Sequence, residues 1–206
     1  MIVTLLTDYG HEDEFVGVCH GVLRSIDART PIVDITHGIP RHDVRRGALV
    51  LRNALPYMPL GVHVAIVDPE VGDGRRALAL RCRDGRLLVG PDNGLLSLAW
   101  RSSGGIERAL DVTRSRHRRE PVSATFHGRD VFAPVAAALA SGADLAGAGE
   151  TVDPDTLVHL DLAPPRTEDG VLIAHTLLVD GFGNAALDAT CEQLGGEPGA
   201  AVEVEA

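Results

Sequence analysis

Residues 2–26, IVTLLTDYGHEDEFVGVCHGVLRSI, contain the change in hydrophobic period that decides the fold class. The segment IVTLLTD (2–8) is a short apolar run that ends in polar residues, which predicts a buried strand. The segment EFVGVCHGVLRSI (14–26) has apolar residues at helical spacing, at Phe15, Val18, Val22 and Ile26. A strand that leads into a helix is the unit from which α/β domains are built.

The same alternation continues along the chain. Strands are predicted at 31–37, 61–68, 77–84 and 86–92, and helices at 43–55, from 93 onward and at 131–142. Asp43 is positioned to cap the second helix, Asp84 and Gly85 to turn a hairpin, and Gly142 to end the last helix. The pattern predicts an α/β, layered N-terminal domain with a largely parallel central sheet.

Four aspartates lie where predicted strands end, namely Asp8, Asp34, Asp68 and Asp92. Ligands of parallel sheets gather beyond the carboxyl ends of the strands. One such aspartate is routine, whereas four indicate a site, although some also serve as helix caps or turn formers.

The composition changes after residue 162. Residues 163–170, APPRTEDG, are proline-rich and polar, which is typical of a linker. Beyond them VLIAHTLLVDGFGNAALDAT (171–190) alternates and turns like antiparallel β structure. We therefore expect an N-terminal domain at 1–162, a linker at 163–170 and a short antiparallel β unit at 171–206. So short a unit is either incomplete or packed on the first domain.

Charge and composition exclude several classes of function. The net charge is −10, which disfavours a nucleic-acid partner because phosphates need basic groups. All nineteen basic residues are arginine, which rules out a Schiff-base lysine and a P-loop lysine. The apolar content of 45% is enough for a sizeable core.

Cysteine usage and the N-terminus bear on location. Cys19, Cys82 and Cys191 are odd in number and lack metal spacing, which indicates a reducing compartment, the cytoplasm. The first ten residues have no basic segment and no long apolar core, so they are not a signal peptide. Because no run of about 18 apolar residues occurs, we expect no membrane partner.

Two loops carry pairs of charged residues. In TDYGHEDEF (7–15), Asp8 follows a strand, and its carboxylate can accept hydrogen bonds from both hydroxyls of a ribose; a turn or helix cap is the alternative. In VDPEVGDGRR (67–76), Asp68 and Arg75 can form an ion pair that orients the carboxylate. The alternative there is a surface loop with a solvated pair.

Two further motifs precede helices. GPDNGLLS (90–97) is typical of a turn, although Asn93 also offers an amide to a ligand. In TFHGRDVFAP (125–134), His127 can face a cleft, Arg129 can be structural and Asp130 is expected to cap the following helix. A lone histidine is more often structural than catalytic. The sequence has no HExxH, paired CxxC, GxSxG or GxGxxG motif, so we expect no metal site and no dinucleotide cofactor.

The order of these motifs carries more information than any one of them. TDYG, DEFVG, IVDITHGIPRHDVRRGA, IVDPEVG, GPDNGLL, TFHGRDVFAPVAA and DGFGN follow one another from residue 2 to about residue 190. The series resembles that of the S-adenosylmethionine hydroxide adenosyltransferases. These are S-adenosylmethionine hydrolases that form adenosine, and they are relatives of the fluorinases and chlorinases.

The resemblance implies a role for each matching residue. The catalytic set of the family falls on Asp68, Arg75 and His127. The residue that holds the ribose falls on Asp8, and the one that contacts the methionine part falls on Asp13. DGFGN places Asp180, Phe182 and Asn184 on the motif that meets the methionine and adenine ends of the ligand. Asn93, through its amide, and Phe126 are further expected contacts of the substrate. The family is typically trimeric, with the ligand between the first domain of one subunit and the second domain of its neighbour.

The family divides by nucleophile at two of these positions. Its halogenating members resemble this chain elsewhere, but they carry a hydroxyl-bearing aromatic residue at the position of Asp68 and lack the histidine at His127. The presence of both residues implies that water is the nucleophile, and a carboxylate would also repel a halide.

Two departures from the family are visible. Glu70 stands where the family usually has glycine, so we expect backbone strain there if the position needs a positive φ. The second domain is also shorter than usual, and its end, AVEVEA, lacks the closing strands. This departure bears on adenine recognition and on trimer assembly, because both draw on that domain.

The sequence therefore predicts an enzyme that hydrolyses S-adenosylmethionine to adenosine and methionine, by in-line attack of an activated water on the ribose C5′, without a cofactor. Three alternatives stay open. They are a halide-using, chlorinase-like adenosyltransferase, a non-catalytic protein that binds adenosine or S-adenosylmethionine, and a metal-dependent α/β hydrolase.

Overall fold

The chain forms two compact units, one of Met1–Leu160 and one that starts at Asp161. The structure is a computed structural model and describes residues 1–195. Residues 196–206, which end the predicted C-terminal β unit, lie outside the described residues. The predicted division at 163–170 stays a prediction.

The first unit is built on a mixed sheet. Its described strands are β1 (Ile2–Thr7), β2 (Ile32–Thr36), β3 (Gly61–Ile66), β4 (Ala77–Cys82), β5 (Leu87–Pro91), β6 (Ile106–Asp111) and β7 (Glu150–Thr151), in the spatial order β2-β1-β3-β5-β4-β6-β7. Strands β2, β1, β3 and β5 run parallel, whereas β4, β6 and β7 pair antiparallel with their neighbours. The predicted α/β class with a largely parallel sheet is confirmed.

The helices lie where the apolar period predicts them. They are α1 (Phe15–Ile26), α2 (Val44–Ala54), α3 (Ser97–Ser102) and α4 (Ala133–Ala140), with single 3₁₀ turns at Leu55–Tyr57, Leu145–Gly147 and Pro154–Thr156. The Asp43 carboxylate accepts a hydrogen bond from Arg46 N at 2.9 Å, so the predicted cap of α2 is confirmed. Among residues 1–195, no helix has both the length and the apolar character needed to cross a bilayer.

The sheet is covered on both faces. Every residue of β3 is buried, as expected for a central strand between two layers. Val3 and Leu5 of β1 belong to the core cluster that includes α1 and α4. On the other face, a Cβ at Gly47 of α2 would lie 2.7 Å from Leu95 Cδ1 and 3.1 Å from Val67 Cγ2, so this glycine allows close packing.

Two strands were not predicted from the sequence, β6 and β7. In β6 the charged Glu107 and Arg108 are exposed and adjacent, and the buried Ala109 and Leu110 are adjacent too, so no alternation marks the strand. Pairing with β4 specifies β6, and pairing with β6 specifies the two residues of β7. Both strands thus depend on tertiary contacts that a local pattern does not contain.

The second unit contains two antiparallel hairpins, which confirms the predicted β character. Strand β8 (Arg166–Glu168) pairs with β9 (Val171–Ile173), and β10 (Thr176–Val179) pairs with β11 (Ala185–Leu187). Strand β8 lies inside the segment that the sequence predicts to be a linker. Asp169 and Gly170 have φ of 51° and 81°, which is the conformation of a two-residue hairpin turn, and this turn lets the polar segment pair.

His63 is a buried polar residue in the centre of the sheet. It is fully buried in β3, with Nδ1 3.0 Å from Thr4 Oγ1 and no hydrogen-bond partner for Nε2 among the described residues. Burial, together with the nearby charge of Arg86, lowers the pKa of His63 from 6.5 to about 4. The protonated ring is therefore incompatible with the folded core at neutral pH.

This histidine should make the stability of the fold depend on pH. The unfolded chain protonates His63 near pH 6.5 and the folded chain only near pH 4, so its stabilising contribution is complete above pH 6.5 and decreases as the pH falls towards 4. We expect His63→Asn to reduce the loss of unfolding free energy between about pH 7.5 and about pH 4.5 by about 2.5 kcal/mol, measured by urea denaturation. Equal slopes for the wild type and His63→Asn would contradict this assignment.

Candidate active site

Two neighbouring parallel strands end in the aspartates at the centre of the candidate site. Strands β1 and β3 pair in register up to Thr7 and Ile66, so Asp8 and Asp68 leave the same edge of the sheet. The Asp8 N–H also donates to Ile66 O at 3.3 Å. This is the edge at which ligands of parallel sheets bind.

Asp68, Arg75 and His127 form one hydrogen-bonded set. Arg75 Nε lies 2.9 and 3.1 Å from the two carboxylate oxygens of Asp68, and Nη2 makes a further short contact with Oδ2. The same Nη2 donates to His127 Nδ1 at 2.9 Å. The side chains of Arg75 and Asp68 are only 5% and 6% exposed, so the pair is not the solvated surface pair of the alternative interpretation. The three residues converge as predicted, while their catalytic roles stay predictions.

The hydrogen bond from Arg75 fixes the protonation state of His127. A guanidinium has only donors, so Nδ1 must present its lone pair, and the proton of the neutral ring is assigned to Nε2. Burial first, and the charge of Arg75 second, lower the pKa of His127 below its usual 6.5. A hydrogen bond with the Ser123 backbone acts in the opposite direction, but the net shift is downward, so the ring is neutral at neutral pH with its proton assigned to Nε2.

Gly72 sets the position of the loop that carries Asp68 and Arg75. Its φ is +86°, and a Cβ at this position would lie 2.5 Å from Ala124 O, in the segment just before His127. Only glycine satisfies both conditions. Gly74, in the same loop, has a φ of +85° but no atom within 4 Å of a Cβ. The two loops of the site thus meet backbone to backbone at Gly72.

The strain that a positive φ would cause at Glu70 does not arise, because the φ of this residue is not positive. His42 and Asp169 are the non-glycine residues with positive φ in the described part of the chain. Glu70 is exposed, and its carbonyl accepts a hydrogen bond from Asp73 N at 3.0 Å in an ordinary turn. The carboxylate at this position therefore adds charge to the loop without distorting it.

Asp130 explains why a charged pair lies in the apolar run after His127. The sequence predicts that it caps the next helix, but it lies inside a π-helical turn, Gly128–Phe132, that leads into α4. Its buried carboxylate accepts hydrogen bonds from Ser123 N at 2.8 Å and from Arg129 Nε and Nη2 at 2.7 and 2.8 Å. Asp130 thus ties the segment before His127 to the π-helical turn. Turns of this kind are frequent at functional sites.

A cavity of about 350 Å³ opens beside the hydrogen-bonded set. Asp8, Asp68 and His127 line it together with Tyr9, Phe15, Arg41, His42, Ile66, Val71, Thr125, Phe126 and Gly128. Tyr9, Phe15 and Phe126 form an aromatic wall, with ring centroids 5.0 to 5.8 Å apart. A size within the small-molecule range, an apolar wall and a few convergent polar groups are the features of a ligand pocket.

Asp8 is held by a strained backbone. His42 has a φ of 66°, in the left-handed region that non-glycine residues rarely adopt, and its N–H donates to Asp8 Oδ2 at 2.9 Å. Such a conformation costs on the order of 1 kcal/mol and tends to occur at functional sites. One oxygen of Asp8 is thereby held by the backbone of His42, and Asp8 lines the cavity.

The structure does not bring every predicted residue to the cavity. Asp92 is buried and accepts hydrogen bonds from Arg76 Nε at 2.7 Å and Val158 N at 2.9 Å, which are structural contacts. Asn93 donates to Val67 O at 2.8 Å and accepts from Leu95 N at 3.2 Å, so its amide orders the turn before α3. Asp13 is exposed before α1 and is absent from the described cavity lining. Substrate-binding roles for Asn93 and Asp13 stay predictions.

Asp34 also lies apart from the cavity. It is in the middle of β2, not at the end of that strand, and it contacts His20 and His37. Its prediction as a strand-end residue was therefore wrong by two positions.

The DGFGN motif forms a self-contained turn in the second unit. Asp180 Oδ1 accepts hydrogen bonds from Phe182 N and Asn184 N, both at 2.9 Å, and Asn184 Nδ2 donates to Asp180 Oδ2 at 2.8 Å. The Phe182 side chain is 96% exposed. The side chains of Asp180 and Asn184 therefore stabilise the turn through hydrogen bonds within it, and the turn leaves the side chain of Phe182 exposed to solvent. Ligand contacts for all three stay predictions.

Several residues of the cavity were missed by sequence reasoning. Tyr9 and Phe15 both lie within TDYGHEDEF (7–15), on either side of its acidic residues 12–14, and their spacing of six residues gives no signal. Arg41 and His42 follow β2, and their position beyond the carboxyl end of a parallel strand could have suggested them.

Comparison with known proteins gives consistent matches. A family model described as the SAM hydroxide adenosyltransferase N-terminal domain matches residues 3–149. The (R)-S-adenosyl-L-methionine hydrolase of Salinispora tropica is 53% identical over 188 residues, which are 91% of this chain and 72% of that protein. A fluorinase of an Actinoplanes species is 26% identical over 196 residues, 84% of this chain and 65% of that protein.

The fold is shared as well. A solved structure, described as an uncharacterized conserved protein from Thermotoga maritima, has a TM-score of 0.86 and 31% sequence identity, and the match covers 94% of this chain and 74% of that one. The matched family region contains Asp8 and the complete Asp68, Arg75 and His127 set. The resemblance drawn from the ordered motifs is confirmed, and the chain belongs to the SAM hydroxide adenosyltransferase family.

Proposed function

We propose that this protein hydrolyses S-adenosyl-L-methionine to adenosine and L-methionine. The observation that carries the proposal is the Asp68–Arg75–His127 set on the wall of a cavity that Asp8 also lines. The name of the Salinispora tropica relative, an (R)-S-adenosyl-L-methionine hydrolase, supports the choice of substrate and reaction.

The proposed chemistry is displacement at the ribose C5′ by water. A water oxygen forms a bond to C5′ as the C5′–S bond breaks, and the electron pair of that bond leaves with sulfur. The sulfonium departs as the neutral thioether of methionine, so no general acid is needed at sulfur. The attacking water gives up one proton to a carboxylate, so the negative charge of that carboxylate and the positive charge of the sulfonium are lost together, and a cavity that excludes bulk water favours this loss of charge. We propose that no metal or cofactor takes part in this step.

Asp68 is the proposed proton acceptor. The hydrogen bond from Arg75 occupies Nδ1 of His127 and leaves Nε2 protonated, so neutral His127 donates a hydrogen bond and has no free lone pair with which to accept one. A water between the two residues would accept from His127 and donate to a carboxylate oxygen of Asp68. Arg75 holds that carboxylate in place and stabilises it as an anion. Positioning of this kind lowers the activation barrier by several kcal/mol, on the order of the effect in well-oriented intramolecular reactions.

The rest of the cavity fits the other parts of the substrate. Asp8, oriented by His42 N, is the proposed acceptor for both ribose hydroxyls. The aromatic wall of Tyr9, Phe15 and Phe126 offers ring faces and edges to the adenine. Asp13 remains a proposed contact on the basis of the family resemblance, and Asn93 remains one on the basis of its side-chain amide.

We also propose a cytoplasmic homotrimer. The support is the motif resemblance, in which the second domain of a neighbouring subunit completes the site, and the turn that presents Phe182 to solvent. Under this proposal Asp180 and Asn184 shape the turn and Phe182 makes the contact.

The enzyme proposal is tested by chromatography of S-adenosylmethionine incubated with the full chain, with and without chloride or fluoride. We expect adenosine and methionine in both cases. A product that requires halide would identify a halogenase-like transferase, and a protein that binds the substrate without turnover would be a binding protein. Loss of turnover with a chelator would indicate that the activity depends on a metal ion.

Single substitutions separate chemistry from binding. Asp68→Asn and His127→Ala should lower kcat by about 10² or more, because each removes one partner of the attacking water. Both variants should still bind S-adenosylmethionine in calorimetry. Asp8→Ala should instead weaken binding strongly. Unchanged turnover in Asp68→Asn would exclude this carboxylate as the proton acceptor.

A pair of glycine substitutions tests the geometry of the set. Gly72→Ala and Gly74→Ala both introduce a side chain at a positive φ, but only the first would meet a backbone oxygen, at 2.5 Å. We expect Gly72→Ala to lower kcat by about tenfold or more, since displacement of reacting groups by about 1 Å is sufficient for such losses. Gly74→Ala is the matched control and should retain activity. Equal losses in two folded variants would indicate that the contact with Ala124 does not position the site.

A further inference from the structure

Three possible metal-binding side chains, those of His20, Asp34 and His37, meet outside the catalytic cavity. His20 comes from α1, and Asp34 and His37 come from β2 and the residue just after it. One ligand atom from each lies within 4.8 Å of the others. None of the three lines the catalytic cavity as described, so the cluster is separate from the proposed chemistry.

The two imidazoles point at the same oxygen. His20 Nε2 lies 2.9 Å from Asp34 Oδ1, and His37 Nε2 lies 3.1 Å from the same atom. His37 is 1% exposed, and its Nε2, although close to Oδ1, is not aligned for a hydrogen bond and has no other partner in the described structure. A buried nitrogen that lies 3.1 Å from a carboxylate oxygen without hydrogen-bond geometry, and within 4.8 Å of a second imidazole nitrogen, indicates that a ligand belongs between them.

We propose that His20, Asp34 and His37 bind a divalent transition-metal ion, with Zn²⁺ as the favoured occupant. Two imidazole nitrogens and one carboxylate oxygen are a common zinc ligand set, which a water completes to four. Zinc bonds of about 2.0–2.1 Å in a tetrahedron place ligand atoms about 3.3 Å apart. The two observed nitrogen–oxygen distances of 2.9 and 3.1 Å require only small movements to reach this geometry.

The environment of His37 prepares it for such a role. Its Nδ1 lies 2.8 Å from Thr7 Oγ1, and Tyr9 N donates to the same hydroxyl at 3.2 Å. A hydroxyl can either donate or accept a hydrogen bond. Thr7 Oγ1 can therefore accept a hydrogen bond from the N–H at Nδ1 of His37 when Nε2 binds a metal. His20 and Asp34 are about one-third exposed, which leaves the site open to ions from solution.

The location of the cluster gives metal binding a structural consequence. Thr7 immediately precedes Asp8, and Gly10 N donates to His37 O at 2.8 Å. An ion at the cluster would join α1 to the end of β2. It would thereby restrain the loop that carries Asp8, the residue proposed to bind the ribose. The sequence did not predict this site because His20 lies fourteen residues before Asp34, and no linear metal motif spans that interval.

The test uses the full, untagged chain after chelator treatment, without substrate, so its outcome is independent of the proposed hydrolysis. Titration calorimetry with ZnCl₂ should give about one ion per chain with a micromolar or lower Kd. Co²⁺ should produce visible absorption bands of a nitrogen- and oxygen-ligated site, and bound zinc should raise the Tm.

Exposed ligands are substituted first, because His37→Ala could disturb the core. His20→Ala and Asp34→Asn should each weaken Zn²⁺ binding by at least about tenfold, whereas His159→Ala, which removes a surface histidine elsewhere, should leave it unchanged. Absence of a stoichiometric site in the wild type would overturn the proposal. Equal binding by the wild type, His20→Ala and Asp34→Asn would also overturn it.

Discussion

The candidate site depends on the hydrogen bonds that the guanidinium of Arg75 makes to Asp68 and His127. This guanidinium contacts both oxygens of Asp68 and the Nδ1 atom of His127, and it lies 5.1 Å above the ring of Phe132, in almost complete burial. Since arginine cannot be deprotonated in a protein, it fixes an anion on one side and a neutral, Nε2-protonated imidazole on the other. Acceptor and donor are thereby assigned before any substrate binds, and this preorganisation is what a positioned water requires.

The residues of the candidate site come from loops that follow neighbouring strands of the sheet. The loop after β3 supplies Asp68 and Arg75, whereas β1 and the segment after β2 supply Asp8 and the backbone that orients it. Small backbone details connect the parts, notably the approach of Gly72 to Ala124 and the left-handed conformation of His42. The proposed metal cluster contacts the same Asp8 loop through the hydrogen bonds of His37 with Thr7 and Gly10. A metal ion bound there would therefore affect both the stability of the fold and the binding of substrate.

Much of this could be predicted from the sequence, for identifiable reasons. The hydrophobic periods located the parallel strands and the first helices because those segments are buried in a regular way, and the seven-residue separation of Asp68 and Arg75 marked a possible ion pair. The partnership with His127, fifty-two residues after Arg75, followed from the family resemblance and from no local signal. Strand β6, the π-helical turn around Asp130 and the cluster of His20, Asp34 and His37 arise from tertiary contacts, which periodicity and motif spacing do not contain.

The most direct test of the role assigned to Arg75 is the tautomer of His127, measured by ¹⁵N NMR of the full chain at neutral pH. The predicted spectrum has a protonated Nε2 and an unprotonated Nδ1, and Arg75→Gln should weaken that preference. A ring protonated at Nδ1 in the wild type would contradict the assignment of His127 as donor and Asp68 as proton acceptor.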